Sequence, residues 1–161
     1  MNQTETLRIA KKAVAVDLTL EGGQPRRVEI FLAEHRANEF RPQDVLDLLE
    51  NVNAFLPVRD LGSSEQEVIN RDALLWIGVP LTPMGVEPDA SEQLLFEFRR
   101  AVRVELRGAA ALHGDLLYSA PQESTRLVDY VNEPGRFLRL WAKDRLYFIS
   151  KTFVLRIVET G

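Results

Sequence analysis

The chain has 161 residues, 45% of them apolar and 27% charged, with a net charge of −4 and a pI near 5.3. A protein built mainly to grip nucleic acid or an anionic membrane carries a basic surplus, whereas this chain carries an acidic one. It has no cysteine, which excludes disulfides, thiolate metal sites and cysteine nucleophiles.

The opening segment, MNQTETLRIAKKAVAVDLTLEGG, lacks an apolar core of signal-peptide length. No run approaches the ~18 apolar residues of a membrane span. The expectation is a cytoplasmic protein of one or two compact domains, without a membrane partner.

From Val14 the chain alternates, with Val14, Val16, Leu18 and Leu20 on one face and Ala15, Asp17, Thr19 and Glu21 on the other. A two-residue period predicts a half-buried strand. EGGQP supplies turn chemistry through Gly22 and Gly23. A return strand follows with Val28, Ile30 and Leu32 facing in and Phe31 facing out, so the pair predicts a hairpin. The period then changes. In FRPQDVLDLLENV, Pro42 suits a first helical turn, and Val45, Leu48, Leu49 and Val52 make one apolar helix face. AFLPVRD, the loop LGSSEQE and VINRDALLWIGV then predict three short strands, with Phe55 as a core residue.

PLTPMGVEPDAS, rich in proline, reads as a linker over residues 81–92. Beyond it LLFEFRRAVRVELR alternates almost without a break. Leu94, Phe96, Phe98, Val102, Val104 and Leu106 share one face, and Arg99, Arg103 and Arg107 share the other with Glu97 and Glu105. GAA turns the chain and ALHGDLLY returns it. QESTRLVDYVNEP predicts a short helix with Ser124 or Thr125 as N-cap and Leu127, Val128 and Val131 buried. RFLRLWA, RLYFI and TFVLRIV complete the set, with Phe137 again read as core.

The second half thus repeats the first. INRDALLWI (Ile69 to Ile77) matches ISKTFVLRI (Ile149 to Ile157), Gly22 falls on Gly108, Asp47 on Asp129, Leu56 on Leu138 and Phe55 on Phe137. Similar segments in the same order, with gaps only at loops, signal an internal duplication. The expected fold is mainly β with short helices (α+β). It comprises two duplicated small β-barrel-like units, each β-β-α-β-β-β, over residues 1–80 and 93–161.

The hairpin VRVELRGAAALHGDLLY, with Gly108 in its turn and Gly114 before Leu116, resembles the first motif of the Sm-like, SH3-like small β-barrels. The closing stretches resemble that family's second motif, which ends in V-x-x-I. Val154 and Ile157 fit it, as do Leu74 and Ile77. Lys151 and Arg71 stand where the family carries glycine, and a helix stands where its first motif continues into an Asp…Asn pair. The resemblance implies fold more than activity, and it implies association through edge strands. RRAVR also resembles the R-x-x-x-R element of PilZ domains, which bind a cyclic dinucleotide, but DLLYSA lacks the run that should follow it.

No catalytic constellation is legible. His35 and His113 do not correspond between the halves and read as surface residues, and no serine has a nucleophile-elbow context. Acidic residues form no metal-ligand spacing, so neither a metal nor a cofactor is expected. Strands around Trp76 and Phe153 are apolar on both faces, which calls for cover on both sides. The expected function is non-catalytic: an interaction or scaffold module that contacts itself or a protein partner through Phe31, Trp76, Phe153 and Leu155. The alternative is nucleic-acid binding through Arg71, Lys151 and the row Arg99, Arg103, Arg107, and the more distant one a PilZ-type small-ligand receptor. Against the arginine row stands the plain reading of a solvated, cross-neutralised face.

Overall fold

The computed structural model describes residues 11–33, 42–51, 53–81, 96, 98–119 and 126–161. Period-two alternation produces strands where it was read. β1 (Lys11–Leu20) pairs antiparallel with β2 (Arg26–Ala33), with Val14 opposite Ile30 and Val16 opposite Val28. Those four residues, with Leu18 and Leu32, are buried. Gly22 closes the turn at φ +76°, and its counterpart Gly108 does the same at +75°. A Cβ at either glycine would meet nothing within 4 Å, so the requirement is purely conformational. Gly22→Ala and Gly108→Ala are each expected to cost about 1 kcal/mol in urea unfolding, the left-handed penalty of an L-residue.

α1 (Pro42–Glu50) follows. It buries Val45 and Leu49 fully and Leu46 and Leu48 in part. The first half ends with β3 (Phe55–Asp60), β4 (Gln66–Asn70), a 3-10 turn (Arg71–Ala73) and β5 (Leu74–Pro80). The second half runs β6 (Phe98–Leu106), β7 (Ala109–Tyr118), α2 (Leu127–Val131), β8 (Phe137–Trp141), β9 (Arg145–Ser150), a 3-10 turn (Lys151–Phe153) and β10 (Val154–Glu159). Both halves therefore have the order β-β-α-β-β-β.

The strands form one ten-stranded antiparallel sheet in the order β10-β6-β7-β8-β9-β5-β1-β2-β3-β4. Each half contributes its fifth, first, second, third and fourth strands in that sequence. The expected closed barrels do not form. In each half the 3-10 turn separates the fourth strand from the fifth, and these two strands do not pair with each other. Instead β5 pairs with β9 of the other half, Trp76 lying opposite Ile149 and Ile77 opposite Phe148. The ring that would close each unit is opened, and the two units are welded edge to edge.

Two apolar clusters hold this sheet, and they interlock at the weld. The first joins Val45, Leu49, Ile77 and Val79 to Phe137, Leu146 and Phe148 of the second half. The second joins Val102, Leu138 and Phe153 to Leu75 and Trp76 of the first. β5 is consequently buried on both faces, as its sequence required.

Two local expectations are corrected, and one, the buried Phe137, holds. Phe55 is 58% exposed, because Leu56 and Val58 take the inward positions of β3. Its counterpart Phe137 is buried, since it packs against the first half's core. In α2 no residue is fully buried, and Val128 faces solvent while Tyr130 stacks on Tyr118 with centroids 4.6 Å apart. Val52, Ser124, Thr125, His35, Leu94 and most of the proline-rich join lie outside the described residues.

Candidate functional site

Arg71 and Lys151 occupy the same place in the two 3-10 turns and do the same thing. Arg71 is 5% exposed, and its Nη1 donates to the carbonyls of Leu49, at 3.3 Å, and Asn51. Lys151 Nζ donates to the Glu133 carbonyl at 2.7 Å. Each cation thus ties its turn to the carbonyl-rich end of its own half's helix, where free C=O groups favour a donor. Burial holds the Lys151 ammonium below the ordinary lysine pKa, opposed by Glu50 and Glu133.

The arginine row lies on β6 and just beyond it, and every member is engaged. Arg99 meets Asp115 at 2.7 Å and Arg103 meets Glu105 at 3.4 Å. Arg107 donates to the Thr152 carbonyl at 3.1 Å and lies over the Phe153 ring. Arg156, across from Glu105 on β10, forks onto the same carboxylate. The face is a lattice of alternating charge.

The hydrogen bond from Arg156, helped by the positive charges of Arg156 and Arg103, holds Glu105 below the usual carboxylate range. Asp60 is lowered similarly, first by the Ser63 backbone N–H and then by Gly62 and Arg26. Because both folded pKa values lie below the unfolded ones, their stabilisation is complete above the ordinary carboxylate pKa and is lost as pH falls through the folded values. The urea midpoint is therefore expected to fall on acidification below about pH 4. Glu105→Gln should remove part of that acid slope and leave the midpoint at neutral pH lower and flatter.

Of the residues read as interface candidates, two are covered within the chain. Trp76 and Phe153 are 6% and 3% exposed, and Trp76 meets the Tyr147 ring edge to face at 5.1 Å. Phe31 is half-buried. Leu155, at 66%, is open to solvent. The sequence reading missed Val68, which is 70% exposed on β4.

Val68 and Leu155 sit on the sheet's two outermost strands. Matching the halves through INRDALLWI and ISKTFVLRI makes Val68 the counterpart of Phe148 and Leu155 the counterpart of Leu75. Phe148 and Leu75 are 0% and 1% exposed because they lie at the β5–β9 weld. Beside β10 an open groove of about 560 Å³ is lined by Leu127, Val128 and Ile157, with Arg100, Arg126 and Glu159 at its rim. Among the described residues no three His, Asp or Glu side chains cluster as metal ligands, and no helix is long and apolar enough to cross a membrane. No family model, curated protein or solved structure matches the chain, which leaves its own geometry as the guide to what it does.

Proposed function

We propose that the chain is a non-catalytic scaffold module of two Sm-like five-stranded repeats, left open and fused through β5 and β9. It associates strand edge to strand edge, β4 of one copy against β10 of the next. The carrying observation is the equivalence of the strands outermost among the described residues, β4 and β10, to the internal weld. What Phe148 and Leu75 bury there, Val68 and Leu155 leave exposed at the ends. Repeating the weld's register between copies sets Val68 opposite Ile157, as Phe148 stands opposite Ile77.

The groove beside β10 supports the same reading. At the weld, Leu146 and Phe148 complete the core formed by Val45, Leu49 and Ile77. The corresponding residues of the second half, Leu127, Val131 and Ile157, are only partly buried and lack that cover. A valine from the next copy's β4 would supply it. Exposed apolar edge strands otherwise invite uncontrolled pairing. Head-to-tail contacts of this kind close into rings or run on as filaments, depending on the rotation between copies.

Nucleic-acid binding is the weaker reading, since Arg71, Lys151, Arg99, Arg103 and Arg107 are already committed to carbonyls and carboxylates within the chain. Val68→Lys and Leu155→Glu are each expected to lower the assembly state. Both positions are exposed, so each should change monomer stability by less than about 0.5 kcal/mol. Sedimentation velocity together with thermal unfolding reads both effects. Unchanged sedimentation in both variants would remove the edge contact from consideration.

A further inference from the structure

At the weld, an open groove of about 830 Å³ runs between the β1–β2 turn of one half and the β6–β7 turn of the other. Its volume is that of a small-molecule site. The two turns contribute short residues to its walls, Gly23 on one side and Gly108, Ala109 and Ala110 on the other, beside the longer Gln24, Pro25 and Leu112. At its base lie the half-buried Tyr147 and a small exposed edge of the otherwise buried Trp76, the two rings set at 88° to each other.

The two halves differ sharply at this register. Thr19 and Glu105 stand three residues before the equivalent turn glycines Gly22 and Gly108, and Trp76 and Arg156 directly precede the equivalent Ile77 and Ile157. In the ladder of the second half, Arg156 lies opposite Glu105, and the two form an ion pair. In the first half Trp76 lies opposite Thr19. The Thr19 side chain is 2% exposed, lines the groove, and its hydroxyl has no hydrogen-bond partner among the described residues. Where one half closes its surface with paired charges, the other sets a buried indole opposite a buried hydroxyl that has no partner among the described residues.

The lining carries three arginines and one aspartate in a chain of net charge −4. Arg145 pairs with Asp17 across the weld, and Arg26 meets Asp60 at 3.1 Å. Arg27 is exposed at the rim and makes no ion pair among the described residues. With Arg145 and Arg26 neutralised, Arg26 also by Glu67 at 2.7 Å, the exposed Arg27 above the Tyr147 ring suits a planar molecule with one negative group, because the ring contributes stacking area and the guanidinium fixes the anion.

We propose that this groove binds a small aromatic anion, its ring against Tyr147 and its negative group at Arg27. The site is separate from the outer edges that the assembly reading uses.

The test is calorimetric titration of the full chain with anilinonaphthalenesulfonate and with its uncharged parent, phenylnaphthylamine. One sulfonate site per chain is expected. Arg27→Glu should weaken the sulfonate by about tenfold or more, equivalent to ~1.4 kcal/mol, while sparing the uncharged compound. Ala110→Trp, at an exposed position at the start of β7, should abolish both by filling the groove. Thermal unfolding of each variant confirms that it is folded. The proposal is overturned if the sulfonate does not saturate, if neither variant changes its binding, or if Val68→Lys removes it, which would place the dye at the outer edge.

Discussion

Trp76→Ala is expected to cost about 3–5 kcal/mol of folding stability, the range for truncating a large buried aromatic. Trp76 is 6% exposed and packs edge to face on Tyr147 of the neighbouring half. It belongs to a cluster otherwise drawn largely from the second half, including Val102, Leu138 and Phe153. The substitution therefore removes area from the contact that joins the halves. It should change the manner of unfolding as well as the midpoint. The native chain should unfold in one step in urea, because its two cores interlock. The alanine variant should show separated transitions, one for each half. Since domains of this size have ~5–15 kcal/mol of stability in all, the loss is a large share. A loss below about 1 kcal/mol, with the single transition kept, would mean that the weld is not packed through Trp76.

Gly114→Val is expected to cost about 3 kcal/mol, and Gly114→Ala somewhat less. Gly114 lies on β7 where β8 crosses close by, next to the Asp115–Trp141 pair. A Cβ there would stand 2.7 Å from the Trp141 carbonyl oxygen and 3.0 Å from Leu140 Cγ. The obstacle is backbone, so no rotamer change relieves it and one strand must move. The contrast with Gly22 and Gly108 is informative. There glycine is needed for φ and there is open space for a methyl group; here it is needed for space. Urea unfolding of Gly114→Ala beside Gly108→Ala separates the two causes, and equal losses at both positions would argue against the close approach. Crowding should also loosen β8, so amide exchange of Leu140 and Trp141 should accelerate.

What could be read from the residues alone was local. Alternation located the strands, the turn glycines were placed correctly, and the element order of each half followed from the repeat. What escaped was non-local. Nothing in β5 or β9 says that they pair with each other rather than closing their own units, because a strand's hydrogen-bonding edge carries no residue signature. The same gap explains Phe55 and Phe137. The two occupy matching positions, yet one is exposed and the other is buried by contact with the opposite half. Val68 was missed because Val68 and Ile69 are both apolar, and only an edge position exposes the first. The two-sided apolar character of the Trp76 strand was legible, but its cover turned out to be the chain's own second half. Arg71 and Lys151 illustrate a chemical ambiguity: a basic side chain satisfies phosphates and helix-end carbonyls by the same donors, and the sequence does not say which lies within reach.

The measurement that bears most directly on the scaffold reading is molar mass by light scattering on a size-exclusion column, over a range of protein concentrations. With one chain at 18.3 kDa, repetition of the internal weld between β4 and β10 predicts a mass that is a whole multiple of that value and collapses towards it in Val68→Lys. A native protein that elutes as a single chain at every concentration would contradict it.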